Sequence, residues 1–154
     1  KVIEGDHNYP GKYIPVGWDD HRIGKENQLV GTTKLSSCVG VTLYDPVGKI
    51  GVMSHITGRI KSDEDYFPKI IVDTLLKHLS YRNSFDMMKL EAAICGDMLI
   101  RGPDQLIKSR TIEDRLKKLG IKLIGKDVGN FVYSRSMFLD CNNGNIEVYR
   151  PKHL

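Results

Sequence analysis

Cysteine is scarce in this sequence: Cys38, Cys95 and Cys141 are the three present, and no two share a C-x-x-C spacing. That excludes a disulfide framework and a cysteine zinc site. Long apolar runs are also absent. No stretch approaches the ~20 apolar residues that a membrane helix needs, so no membrane insertion is expected. The first twenty residues hold no apolar core of the signal-peptide kind, and a cytoplasmic protein is the expectation. In that reducing compartment each cysteine stays a thiol. Charge of one sign is not in large excess. Lys and Arg number 23 against 19 for Asp and Glu, a net +4, and 40% of residues are hydrophobic. A disordered chain has lower hydrophobicity and higher net charge, and is excluded. His7, His21, His78 and His153 share no metal-ligand spacing, so no metal is expected. Between Arg101 and Lys126, eight basic residues face three acidic ones. No interleaved aromatics accompany them, so this reads as a solvated helix face rather than a nucleic-acid surface.

The length of 154 residues suits a single domain over 1–154, with an irregular leader over 1–27 and a core over 28–150. Within the leader, one short strand is expected near Tyr13–Val16. Val39, Val41 and Leu43 alternate with Gly40, Thr42 and Tyr44, the pattern of a strand. Asp45-Pro46-Val47-Gly48 fits a type I turn, and Lys49–Ile56 reads as the return strand of a hairpin. Phe67, Ile71, Leu75 and Leu79 recur every four residues, which predicts an amphipathic helix from Tyr66 to Leu79. A second helix is predicted over Ser109–Leu119, ended by Gly120. Strands are expected at Gln28–Gly31, Lys89–Cys95, Lys122–Lys126, Tyr133–Asp140 and Asn145–Arg150, the last two joined by a turn at Asn142-Asn143-Gly144. The fold class expected is a layered α/β structure, a mixed or antiparallel sandwich-like sheet with flanking helices.

The hairpin carries the chemistry. A turn centred between Pro46 and Val47 sets Tyr44 opposite Lys49, Thr42 opposite Gly51 and Cys38 opposite His55. Opposed side chains on one face lie within hydrogen-bonding reach. An imidazole beside a thiol makes a nucleophile and can later protonate a leaving amine. Thr32, Thr33, Ser36 and Ser37 lie just upstream, and any of their hydroxyls is a candidate to orient the ring. Backbone N–H groups around Ser36, Ser37 and Cys38 are candidates for an oxyanion site. The plain alternative is that Cys38 fills the core and His55 ends a strand.

The segment Thr32-Thr33-Lys34-Leu35-Ser36-Ser37-Cys38-Val39-Gly40-Val41-Thr42-Leu43-Tyr44-Asp45-Pro46 resembles the signature of the CheD family of chemoreceptor glutamine deamidases. Gly51-Val52-Met53-Ser54-His55 resembles that family's Gly-x-x-x-His strand. Further likeness lies in Tyr66, Ile94-Cys95-Gly96-Asp97-Met98, Asp127-Val128-Gly129-Asn130, Arg135-Ser136 and Asn143-Gly144, and it spans roughly residues 28 to 150. Three runs differ. The family's Gly-Leu-Gly-Ser-Cys is Lys34-Leu35-Ser36-Ser37-Cys38 here, its Gly-Gly-Ala is Cys95-Gly96-Asp97, and its Ile-Gly-x-x-Asn is Ile107-Lys108-Ser109-Arg110-Thr111.

The resemblance implies a cysteine-dependent protein-glutamine amidohydrolase that turns glutamine into glutamate on methyl-accepting chemotaxis receptors. It assigns Cys38 as nucleophile, His55 as general base and acid, and Thr32 as third member of a triad, with a thioester intermediate. It implies no metal or organic cofactor. The partners it implies are the receptor's cytoplasmic domain and a CheC-type phosphatase. The alternative within the same family is a non-catalytic binding module that regulates such a phosphatase or receptor signalling.

Overall fold

The computed structural model describes residues 1–5, 9–58, 63–97, 106–129 and 134–151. In chain order the elements are β1 (Val2–Glu4), β2 (Ile14–Pro15), β3 (Asp20–Gly24), β4 (Leu29–Leu35), β5 (Val39–Asp45), β6 (Ile50–Ile56), α1 (Ile71–Ser80), β7 (Glu91–Gly96), α2 (Ile107–Leu119), β8 (Lys122–Val128), β9 (Arg135–Asp140) and β10 (Ile146–Arg150). Two five-stranded mixed sheets form, in the orders β1-β10-β9-β4-β2 and β3-β6-β5-β7-β8. The architecture is the expected layered α/β sandwich, with both helices on the outer face of the second sheet.

The period-two pattern of β5 explains the layers. Val39, Val41 and Leu43 join Ile71, Val72, Leu75 and Leu79 of α1 and Ile112 and Leu116 of α2 in one apolar cluster. The opposite face of the same strand meets the first sheet. There Cys38, Tyr44, Met53 and Cys95 pack with Leu35, Met137 and Leu139. All seven residues of β5 are therefore buried, which is why both of its faces avoid charge until Asp45 at its end.

The structure departs from the expected elements in places. Residues 1–27, read as an irregular leader, supply three strands: β1 pairs with β10, β2 with β4, and β3 with β6. β2 falls where a short strand is expected near Tyr13–Val16; β1 and β3 have too few alternating apolar residues to show by pattern. Helix α1 starts at Ile71 rather than Tyr66. Phe67 is extended (φ −74°, ψ 147°) after a short 3₁₀ turn over Glu64–Tyr66. The ring of Pro68 disfavours helical backbone in the residue before it. Helix α2 ends as expected at Gly120, whose φ of 73° is left-handed and whose N–H donates to Leu116 and Lys117 carbonyls. Met98, Tyr133 and His153 lie outside the described residues, as do His7 and Asn130.

The hairpin register also differs from expectation. Asp45 pairs with Ile50, so the loop is four residues long, and His55 lies opposite Gly40 rather than Cys38. Two-residue hairpins that match strand twist need positive φ at the first loop position. Pro46 cannot supply it, because its ring holds φ near −65°. The loop opens instead, with Lys49 taking a φ of 52°. The slip is two residues, so it leaves every side chain on its expected face.

At the far end of β4 the ladder to β9 shifts by one residue between Thr32 and Leu35. Lys34 sits in this bulge at φ 59°, and the chain there crosses from one sheet to the other. A side chain in left-handed backbone costs about 1–2 kcal/mol, while glycine loses some of that gain to unfolded-state entropy. Lys34→Gly is therefore expected to raise stability by about 0.5–1 kcal/mol, and β-branched Lys34→Val to lower it. Urea unfolding with an unchanged denaturant slope checks both.

Candidate active site

Two polar side chains meet between the two sheets, with Cys38 in the same buried cluster. Thr32 comes from β4 of one sheet and His55 from β6 of the other, and their Oγ1 and Nδ1 atoms lie 2.7 Å apart. Thr32 is 2% exposed and His55 1%. Cys38, 8% exposed, lies one residue before β5 in the same inter-sheet cluster. Gly40 stands directly across from His55, so Cys38 is its diagonal neighbour on one face. A side chain there would need its neighbours to shift. A Cβ at position 40 would lie 3.0 Å from Leu35 Cδ1 and 3.2 Å from Met137 Sδ.

The proton count fixes the histidine tautomer. Thr32 Oγ1 also lies 2.9 Å from the Val16 carbonyl oxygen. A carbonyl only accepts, and the hydroxyl carries one proton, so Thr32 donates to Val16 and accepts from Nδ1–H of His55. The other ring nitrogen, Nε2, then bears the lone pair. It is buried and meets no hydrogen-bond partner among the described residues. A buried acceptor left unpaired is costly in an ordinary core, and is what a base awaiting a proton requires.

The N-terminal segment that looked irregular wraps this histidine. Val16 N–H donates to Gly31 and Asp19 N–H to the His55 carbonyl, at 2.9 and 2.6 Å. Trp18, 57% exposed, bridges to the His55 backbone and sets its ring centroid 6.5 Å from the imidazole. The Asp19 carboxylate accepts from Thr57 N–H (2.9 Å) and Thr57 Oγ1 (2.7 Å). Burial pushes the His55 imidazole down to about 4, and the Asp19 charge opposes that shift. At neutral pH the ring is thus uncharged.

Of the loop residues proposed for an oxyanion site, Ser36 is half-buried and Ser37 exposed. The Ser36 N–H is given to the Lys34 carbonyl at 3.1 Å. The Ser37 carbonyl accepts from the Lys108 ammonium at 3.0 Å. Asp97 N–H donates to the Cys38 carbonyl at 2.9 Å, and the Asp97 carboxylate accepts from Ser109 N–H at 3.0 Å. Val16, Trp18, Asp19, Asp97 and Lys108 were not legible as site residues. Val16 acts through its backbone, and the others are remote in sequence from Cys38. The nearest signal was that Asp97 and Lys108 fall in runs that differ from the family pattern.

The other two thiols are deeply buried. Burial pushes Cys95 up to about 12 and Cys141 up to about 11. The basic run beyond Arg101 is partly neutralised, since Arg115 pairs with Asp73 and Lys126 with Glu113. Among the described residues no cluster of three metal-ligating side chains occurs, and no helix is long and apolar enough to cross a membrane.

No family model matches the chain. It is 31% identical over 150 residues to the probable chemoreceptor glutamine deamidase CheD of Pyrococcus horikoshii, covering 89% of this chain and 91% of that protein. The probable CheD of Pyrococcus abyssi is 32% identical over 148 residues (88% and 90%), and that of Clostridium botulinum 28% over 153 residues (89% and 92%). Among solved structures, the Bacillus licheniformis hypothetical protein YfiH superposes with a TM-score of 0.44 at 12% identity, over 82% of this chain and 62% of that one.

A depressed imidazole favours the folded state above its unfolded value of 6.5 and stops doing so as pH falls through 4. Between those limits the wild type should lose on the order of 3 kcal/mol of stability through this residue. His21 is also lowered, chiefly by burial and then by the His78 charge, so the His55 share is read as the difference between wild type and His55→Gln. Trp18 is the one tryptophan, and an imidazolium quenches indole. Its fluorescence should fall as pH drops, with a midpoint near 4, and His55→Gln should remove that transition.

Proposed function

Because the chain belongs to the CheD family, we propose that it is a protein-glutamine amidohydrolase acting on chemotaxis receptors, with Cys38 as nucleophile, His55 as base and acid, and Thr32 as the group that orients His55. The observation that carries this reading is the buried, unpartnered Nε2 of a tautomer-fixed histidine on the same face as Cys38. That arrangement suits proton transfer between sulfur and imidazole.

The reaction then follows in two acyl-transfer steps. Cys38 Sγ attacks the side-chain carbonyl carbon of a glutamine as its proton passes to His55 Nε2. The tetrahedral intermediate collapses, the C–N bond breaks, and Nε2 gives the proton to the departing nitrogen, which leaves as ammonia. Water next attacks the thioester while Nε2 takes one of its protons. The C–S bond breaks, the proton returns to sulfur, and the product is glutamate. Thr32 keeps Nδ1 protonated throughout, so Nε2 is the nitrogen that works. The Asp19 carboxylate favours the imidazolium formed on the way. No step calls for a metal or an organic cofactor. The partners this reading carries are a receptor cytoplasmic domain as substrate and a CheC-type phosphatase.

Receptor cytoplasmic domains treated with the wild-type protein should gain about one dalton per glutamine hydrolysed, and Cys38→Ala should give no gain, since the covalent route is lost. Thr32→Val should fold but lower turnover by about 10²-fold, the effect of a misplaced base. Intact-mass spectrometry reads both. Equal masses for receptor treated with wild type and with Cys38→Ala would refute the enzyme.

A further inference from the structure

We infer that Lys108 is a positioning residue for the thiol–imidazole pair, an inference that rests on Cys38 being the nucleophile. Lys108 lies in the first turn of α2. Its stem covers Gly58, where a Cβ would come within 2.6 Å of Lys108 Cε. Its ammonium donates to the Ser37 carbonyl at 3.0 Å and to the Thr57 carbonyl at 2.9 Å. One carbonyl immediately precedes Cys38. The other lies two residues beyond His55.

The location explains the need. The β5–β6 ladder runs out at Val39 opposite Ile56. Cys38 is the next residue on one strand and Thr57 the next on the other, so the strand pairing no longer fixes the thiol. Lys108 closes the hairpin at that point with two charge-assisted hydrogen bonds, stronger than neutral ones. The following residue of α2 acts on the same stretch. Ser109 N–H holds the Asp97 carboxylate, and Asp97 N–H holds the Cys38 carbonyl. The carbonyls on both sides of the Cys38 Cα are thus tied to consecutive residues of one helix. The ammonium also sets a positive charge one peptide unit from Cys38, the sign that favours the negative charge sulfur acquires on losing its proton. The acidic groups nearby are engaged elsewhere, Asp19 with Thr57 and Asp97 with Ser109.

The test compares wild type, Lys108→Met and Lys108→Arg. Each folded protein is alkylated with iodoacetamide across a pH series, the Cys38 adduct is read by peptide mass, and thermal unfolding is followed in parallel. Lys108→Met should move the midpoint of Cys38 alkylation upward by about one pH unit and slow the reaction at neutral pH about tenfold. Lys108→Arg, which keeps the charge and several donors, should recover most of that loss. An unchanged midpoint in Lys108→Met overturns the inference even if its melting temperature falls, because the lysine would then only stabilise the fold. A Lys108→Arg profile no closer to wild type than that of Lys108→Met overturns it too. Lys108→Gln, read identically, takes the place of Lys108→Met if the latter does not fold. Wild-type Cys38 that reacts no faster than an unfolded-chain thiol would instead remove the nucleophile reading, and the clamp with it.

Discussion

A hydroxyl has one proton to give, and that limit orders the centre of this molecule. Thr32 sits between the Val16 carbonyl and the His55 ring, in reach of both. Were the proton turned toward Nδ1, the Val16 oxygen would face a hydroxyl lone pair at 2.9 Å in a buried place. A buried carbonyl so deprived costs about 1–3 kcal/mol. The tautomer is therefore imposed by the fold rather than by pH. It also requires three segments at once: the N-terminal stretch for Val16, the first sheet for Thr32 and the second for His55. The two sheets must pack in one register for this tautomer to be fixed.

Burial makes His55 neutral and also makes it a weak base on its own. In the proposed mechanism the two facts are compatible, because the proton His55 accepts comes from Cys38. A lone imidazolium in this cavity would be poorly solvated, and so would a lone thiolate. Formed together in that mechanism, the two charges would stabilise each other. A desolvated site of this kind would oppose charge drawn from solvent and tolerate charge made by transfer within the proposed pair. Asp19 adds a fixed negative charge on the histidine side, held in place by Thr57.

The sequence made the central hairpin legible because strict alternation in β5 left one choice of faces. Parity survived even though the loop length was misjudged, since a two-residue slip returns each side chain to the same side. Gly120 and the turn before β10 were legible because left-handed backbone restricts residue type so strongly. What did not show was the role of residues 14–24. Their strands are short and lie at sheet edges or end positions, so hydrophobic period carries little signal. Their contribution to the site is made largely by backbone groups, which no side-chain pattern encodes. Trp18 stands exposed against the imidazole. Asp97 and Lys108 were visible only as departures from a family run, and their placement depended on tertiary contacts between β5, β7 and α2.

Those departures share a physical theme. Left-handed backbone flanks the thiol on both sides, at Lys34 before it and at Gly96 and Asp97 across the sheet from it. Gly96 cannot be replaced without striking the Cys38 carbonyl, so the local backbone shape is dictated by close approach. Asp97 carries a side chain in this strained conformation, yet its N–H and its carboxylate are both bonded, one to Cys38 and one to α2. Strain there is offset by two hydrogen bonds, one of them charge-assisted. Strained residues of this kind persist only where the surroundings over-determine them. Here the surroundings are β7 and the first turn of α2, the same elements that hold the peptide groups around Cys38. At Asp97 the backbone beside Cys38 keeps its shape through one bond to the Cys38 carbonyl and one to the first turn of α2.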